Sequence, residues 1–318
     1  GPTFRSPNYT VKKKDMAFVL LLSTILCYKT SATSPVIVGP YKTATTTITL
    51  DTLDSSDRRV DIHYPIVQQN ESFPLIAYAH GLDNAATDYT NMSTGLVSFG
   101  YIVALHWSCK EGCNDDKASL SDDPPFFAHY YVEQLKVINW LRTTTTSSNN
   151  TVTLPFNIDF SRGVAIAGHS MGGQSTLFSS SYGNASEFGI SAAVMHHAFT
   201  HEYPAPDIPF LAFTGGEDFV ASHTMTERYY DAASTSGLSR GLVYKKNADH
   251  FEPEDPFCPF YWSYNPILPQ LTAAWFKLHL ENRKVQFGID FEAMIYGNTS
   301  SSICNGGDGA MVKCEVHY

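Results

Sequence analysis

The sequence predicts a single α/β domain: a mostly parallel central sheet with helices on both faces. Three observations carry that expectation. Short apolar runs alternate with segments of helical spacing between about residue 74 and residue 281, as strands do when they are buried on both faces and joined by crossover helices. No internal repeat and no linker-like break interrupts the alternation. One apolar run ends in G-H-S-M-G-G (168–173), a serine crowded by glycines where a strand should give way to a helix.

The chain opens with a segment expected to lie outside that domain. Lys12, Lys13 and Lys14 precede the apolar run A-F-V-L-L-L-S-T-I-L (17–26), and small residues follow at 30–34. This is the three-part layout of a secretory signal peptide. The run is ten residues long, about half of what a bilayer-spanning helix requires. Met16 is the expected natural start, 1–34 the expected extension and signal, and export to the extracellular space the expected fate.

The domain is expected over 35–297. Residues 45–50 (T-T-T-I-T-L) and 58–64 (R-R-V-D-I-H-Y) alternate like two half-buried strands joined by a polar turn. Residues 74–80 (P-L-I-A-Y-A-H) read as a buried strand ending in a turn at Gly81, then a helical stretch to Phe99, then a strand at 101–107. Between 126 and 141, Phe127, Tyr130, Tyr131, Leu135, Ile138 and Leu141 fall near helical spacing. The threonine-rich piece 143–151 reads as a surface loop. Strands follow at 163–168, 191–195, 209–214 and 241–245, and a last helix at 268–281. The tail 298–318 reads as an appendage stapled to the domain by cysteines.

Six cysteines are too few for a cysteine-framed scaffold and enough for one or two staples. Cys109 and Cys113 are close enough in sequence to shut a tight loop. Cys304 and Cys314 flank the turn N-G-G-D-G. C-x-x-x-C could hold metal, but no second ligand pair stands nearby, so disulfides are expected and no metal or cofactor site is. Cys27 would leave with the signal, and Cys258 remains as a buried thiol. Beyond the signal, five N-x-S/T sequons, at Asn70, Asn91, Asn149, Asn184 and Asn298, agree with export. The net charge is −10, and removing 1–34, which holds five basic and one acidic residue, makes it −14. Such a surface repels phosphate backbones and anionic headgroups, so nucleic acid is excluded as a partner, and no stable membrane insertion is expected.

The serine explains its neighbours. A nucleophile that projects from a strand's end needs a sharp, strained turn, and the positions two away must be small because strand and helix nearly touch. Gly168 and Gly172 meet that demand and Gly173 relaxes it further. The rival reading, a glycine-rich helix start that holds phosphate, lacks a following G-K-S/T. A serine hydroxyl needs a base, and the base an orienting group. On this architecture they come in the order Ser, Asp/Glu, His. Asp218 follows the strand at 209–214, in G-G-E-D-F-V, and His250 follows the strand at 241–245, in N-A-D-H-F. The catalytic candidates are therefore Ser170, Asp218 and His250, with Glu217 as a rival acid and Asp249 as a turn residue. The oxyanion donors should be the N–H of Met171 and, from the loop after an earlier strand, the N–H of Leu82.

In A-H-G-L (79–82), G-H-S-M-G-G (168–173), G-G-E-D-F-V-A (215–221) and A-D-H-F-E-P (248–253) the chain resembles the α/β-hydrolases. It is similar to the dienelactone-hydrolase and cutinase-like group, including poly(ethylene terephthalate) hydrolases, and to platelet-activating-factor acetylhydrolases and chlorophyllases. The resemblance implies an α/β-hydrolase fold, an acyl-enzyme and an ester substrate. Leu82 stands where bacterial polyester hydrolases carry an aromatic residue, and His196 and His197 near where those enzymes carry a tryptophan.

Only 198–208, eleven residues with two prolines, separates the strand after the serine from the strand before Asp218. No helical lid domain fits there, so an uncovered cleft suited to bulky, polymeric or soluble esters is expected. Tyr89, Trp107 and Phe219 are candidate aromatic walls, and His197 a further substrate-side candidate. His196, His197 and His201 do not form a metal set, because adjacent residues point opposite ways on a strand. The expectation is a monomeric secreted serine esterase. The alternatives are a phospholipid acyl hydrolase or chlorophyllase-like esterase on the same three residues, and a binding protein on a hydrolase scaffold.

Overall fold

The computed structural model describes residues 36–53, 57–67, 71–110, 113, 130–146, 153–256, 264–299, 302–305 and 311–318. The signal segment, Asn70, Phe127, Asn149 and Cys258 lie outside the described residues.

Among the described residues, nine strands form one sheet: β1 (Thr43–Thr49), β2 (Arg59–Pro65), β3 (Leu75–Ala79), β4 (Ile102–His106), β5 (Val164–His169), β6 (Ile190–His196), β7 (Phe210–Gly215), β8 (Arg240–Lys245) and β9 (Met311–His317). Their spatial order is β1-β2-β4-β3-β5-β6-β7-β8-β9. The pairs from β4 to β8 are all parallel, whereas β1, β2 and β9 run antiparallel to their neighbours. The α-helices among the described residues are α1 (Thr90–Ser98), α2 (Tyr130–Thr146), α3 (Met171–Ser179), α4 (Asn184–Phe188), α5 (His223–Ala232), α6 (Leu268–His279) and α7 (Phe291–Tyr296).

The parallel strands are mostly apolar because both faces are covered. Ile76 and Tyr78 of β3, Val103 and Leu105 of β4, and Ala165 and Ala167 of β5 share one face with α1, α6 and α7. Their alternates Leu75, Ala77, Ile102, Ala104, Val164 and Ile166 pack on the other face with α2, α3 and α5. This period-two division between two cores is the physical content of a sandwiched sheet. At the edge, β1 alternates exposed and half-buried residues, and its threonines suit a pleated, half-solvated surface.

Three expectations need correction. The C-terminal segment is not an appendage: β9 is a strand of the main sheet, in register with β8 from Arg240↔His317 to Val243↔Cys314. The threonine-rich piece begins as helix, since α2 runs through Thr146. Thr143 and Thr145 donate their hydroxyls to the carbonyls of Asn139 and Leu141 four residues back, which lets threonine sit in a helix without exposing a competing donor. The last large helix, α6, ends at His279 rather than 281.

Both expected disulfides are present, Cys109–Cys113 and Cys304–Cys314. Among the described sequons, Asn91 and Asn298 are exposed, while Asn184 is half-buried with its amide donating to the Phe178 carbonyl.

Candidate active site

The carboxyl ends of β3, β5, β6, β7 and β8 bring five loops to one rim, where open α/β sheets place ligand sites. Ser170 sits between β5 and α3 with φ 56° and ψ −118°, a conformation an L-residue adopts only when its surroundings enforce it. The glycines show what enforces it. A Cβ on Gly168 would overlap the Gly172 carbonyl, one on Gly172 would overlap the Ala79 carbonyl, and one on Gly173 would lie 2.7 Å from Ala198 Cα. Strand, turn and helix are packed to backbone contact.

Ser170 Oγ–H donates to His250 Nε2 at 2.8 Å, and His250 Nδ1–H donates to Asp218 Oδ2 at 2.9 Å. The three side chains, 48 and 32 residues apart in the chain, thus form one continuous hydrogen-bonded array, and all are buried. The rival Glu217 is exposed. Asp249 closes its own turn by accepting from the Phe251 N–H at 2.9 Å. Asp218 Oδ1 accepts from the N–H groups of Val220 and Ala221, at 2.9 and 2.7 Å, so the carboxylate is fixed by backbone on one side and imidazole on the other.

Asp218 Oδ2 also accepts from His197 Nδ1, at 2.9 Å. Burial alone would raise the Asp218 carboxyl, but the bonds from His197 and His250 more than offset it and hold the group well below the usual carboxylate range. Burial lowers His250, and the bond to Asp218 restores part of that loss. His250 therefore sits neutral beside the serine hydroxyl.

A second chain of bonds lies behind the array. The Gly81 N–H donates to the Tyr89 hydroxyl at 2.8 Å, and that hydroxyl meets His169 Nδ1 at 2.8 Å. His169 Nε2 is 2.7 Å from the His250 carbonyl. A carbonyl only accepts, so the His169 proton is on Nε2 and Tyr89 donates to Nδ1. Burial first, then the neighbouring His250 and His197, push His169 well below its ordinary value, in keeping with a neutral ring. The loop after β3, the serine turn and the His250 loop are tied together through this one tyrosine.

Met171 opens α3, and the first intrahelical bond is Gln174 N–H to the Ser170 carbonyl, at 3.1 Å. The Met171 N–H consequently has no partner within the helix. Leu82 lies in the turn closed by Asn84 N–H to the Gly81 carbonyl, and His80 anchors that loop through contacts with the Gly81 and Ser108 carbonyls. Leu82 and Met171 share an apolar cluster with Phe199, Val220, Met225 and the Cys109–Cys113 disulfide. Phe219, directly after Asp218, is 93% exposed.

Two proposed substrate-side residues, Tyr89 and His197, are buried, and a third, Trp107, is half-buried and engaged with β2. Tyr89 is fully buried and spends its hydroxyl on Gly81 and His169, so it is a brace and not a wall. Trp107 is tied to β2: its indole N–H donates to Asp61 at 2.9 Å and the Arg59 guanidinium lies 3.9 Å over its ring. His197 is fully buried against Asp218 and presents no surface to a substrate. His196, by contrast, turns away toward α6, with Nε2 3.0 Å from the Thr272 hydroxyl. The ligand-type atoms of His197, Asp218 and His250 lie within 4.8 Å of one another, but both imidazoles aim at the same carboxylate oxygen at hydrogen-bond distance. Sequence reasoning missed the roles of His197, His169 and Tyr89 because each works through a contact between distant loops. The doubled histidine at the end of β6 was the one local signal.

The strand order, with a serine on a strained strand-to-helix turn, defines an α/β-hydrolase. The chain belongs to the PET hydrolase-like family, which it matches over residues 29–301. Membership in that family makes it an ester hydrolase. No curated protein matches the chain.

Proposed function

We propose that this chain is a secreted serine carboxylic-ester hydrolase acting through an acyl-enzyme. Ser170 Oγ attacks the ester carbonyl while His250 Nε2 takes its proton. Asp218 holds the imidazole by Nδ1–H and stabilises the imidazolium that forms. The tetrahedral oxyanion is received by the N–H groups of Leu82 and Met171, each worth about 3 kcal/mol of transition-state stabilisation at a typical site of this kind. His250 returns its proton to the leaving alcohol, and a water activated by the same imidazole then releases the acid. The single observation that carries this reading is the unbroken contact from Ser170 through His250 to Asp218, built on a serine with φ 56°.

The substrate class proposed is a bulky or polymeric ester. Family membership supports it, as do the exposed Phe219 beside the array and the apolar cluster around Leu82 and Met171. The stretch from Ala198 to Pro209 contains no helix, so nothing described there forms a lid of the lipase kind. Export is supported by the two disulfides, which persist in oxidising compartments. Among the described residues no helix is long and apolar enough to cross a membrane.

A fluorophosphonate probe tests the mechanism: the wild type should be labelled, and Ser170→Ala should lose both labelling and esterase activity. Labelling that persists in Ser170→Ala would refute it, and an unlabelled wild type would favour a binding protein on the same scaffold. Short-acyl p-nitrophenyl esters should turn over faster than emulsified long-chain triglyceride; the reverse order would contradict the substrate class.

A further inference from the structure

The Asp218 carboxylate serves two histidines, and the proposed mechanism uses only one. His197 Nδ1 and His250 Nδ1 each lie 2.9 Å from the same oxygen, Oδ2. The two rings are 6.1 Å apart between centroids and nearly perpendicular, at 80°. His197 side-chain atoms are wholly buried, and its other nitrogen, Nε2, faces Glu252 Oε2 at 3.6 Å. That spacing is an ion-pair contact rather than a hydrogen bond. A neutral ring donating from Nδ1 would turn its Nε2 lone pair toward a carboxylate, whereas a doubly protonated ring meets a carboxylate at each end. The backbone is also held to this purpose. His197 has φ 47°, in the left-handed region that costs a non-glycine residue energy, while its N–H is fastened to the Phe213 carbonyl at 2.9 Å.

We infer that His197 is a positioning residue, a buried imidazolium that steadies the Asp218 carboxylate and, by its charge, lets His250 serve as the base at lower pH. This role rests on the serine-esterase reading given above. Two like charges cannot both sit cheaply beside one buried carboxylate, so a proton already on His197 opposes a second on His250. Burial works against a charged His197, but the contacts with Asp218 and Glu252 more than offset it and carry the group up to about 9. His197 is faced by Asp218 from the loop after β7, by Glu252 and His250 from the loop after β8, by His169 from the serine turn, and by its neighbour His196. His250 is faced in turn by Ser170, Asp218, His197, Asp249 and His169, the last with ring centroids 4.8 Å away. Of these groups, His169 and His196 are held neutral by burial. The positive charge nearest His250 is therefore that of His197.

The test uses two substitutions of the full chain and the pH profile of kcat/KM for p-nitrophenyl butyrate. His197→Gln keeps a donor for Asp218 and removes the charge. Its acid-limb midpoint should move up by about one pH unit with KM little changed. His197→Leu removes donor and charge together and should lose tenfold or more in kcat. Far-UV circular dichroism and the urea midpoint at pH 7 establish that each variant is folded. Proton NMR at low temperature supplies a readout independent of turnover: the wild type should show a downfield N–H resonance from each of the two imidazoles on Asp218, and His197→Gln should lose those of residue 197 while keeping that of His250. A His197→Gln profile superimposable on that of the wild type, with Ser170→Ala inactive, would overturn the role of His197 and leave the serine mechanism standing. Full activity in Ser170→Ala would overturn the mechanism and this role with it.

Discussion

Replacing Tyr89 with phenylalanine isolates one oxygen atom on which three loops depend. The Tyr89 ring is fully buried, so the substitution keeps the packing and deletes only the hydroxyl. That hydroxyl is the acceptor for the Gly81 N–H and the donor to His169 Nδ1, both at 2.8 Å. Both partners are themselves buried, and each group left unpaired there costs about 1–3 kcal/mol. Losing two such bonds should destabilise the protein by about 2–6 kcal/mol. At about 2–4 °C per kcal/mol, the melting temperature should fall by at least about 4 °C. The Gly81 peptide precedes Leu82, and His169 precedes Ser170 while holding the His250 carbonyl. Loosening both ends should therefore lower kcat by about tenfold, since small misplacements of reacting groups carry large kinetic costs, while KM changes little. Urea unfolding read by tryptophan fluorescence, with steady-state hydrolysis of p-nitrophenyl butyrate, measures both effects. A Tyr89→Phe protein within about 0.5 kcal/mol of wild type and with unchanged kcat would refute the reasoning.

Three further outcomes are expected. Gly172→Ala should abolish activity or soluble expression, because its Cβ would overlap the Ala79 carbonyl, while Gly183→Ala, with φ 81° and no atom within 4 Å of the new carbon, should cost only the left-handed backbone penalty of about 1–2 kcal/mol; equal effects in expression and activity assays would contradict the close-approach argument. Glu254 is buried, and that burial carries its carboxyl up to about 7. Because this folded-state value lies above the unfolded one, its contribution to stability is intact below about pH 4.5 and is lost as pH rises through 7, a change of about 3 kcal/mol. Urea midpoints from pH 4.5 to 8 should fall for wild type more than for Glu254→Gln, and parallel curves would count against it. Removing the Cys304–Cys314 bridge, which closes a ten-residue separation, should cost about 2–3 kcal/mol and loosen β9 first. Hydrogen exchange should show this as lost protection at 311–317 and along β8, and unchanged protection would mean the strand is held by pairing alone.

Much of the site was legible because its rules are local. A nucleophile turn demands small residues at fixed offsets from the serine, and Gly168 and Gly172 obey. Asp218 and His250 each follow an apolar run that could only be a strand, in the order this architecture uses. The β3–β8 strands were legible for a related reason: burial on both faces leaves a continuous apolar signature. What was not legible depends on where loops meet. Tyr89 looked like a wall for a cleft, since an aromatic near a predicted site carries no mark of whether it faces solvent or core. His197 looked like a substrate contact, and its actual partner, Asp218, lies 21 residues on.

The primary structure alone marked the candidates, a serine, a histidine and an aspartate at the ends of buried strands, because period, glycine spacing and chain order are properties of short segments. The tertiary structure decided the rest. It made β9 a strand of the sheet, turned Tyr89 inward as a brace, and set His197 on the same Asp218 oxygen that meets His250. Those outcomes come from packing and charge between segments far apart in the chain, which compete for the same buried space only once the chain has folded.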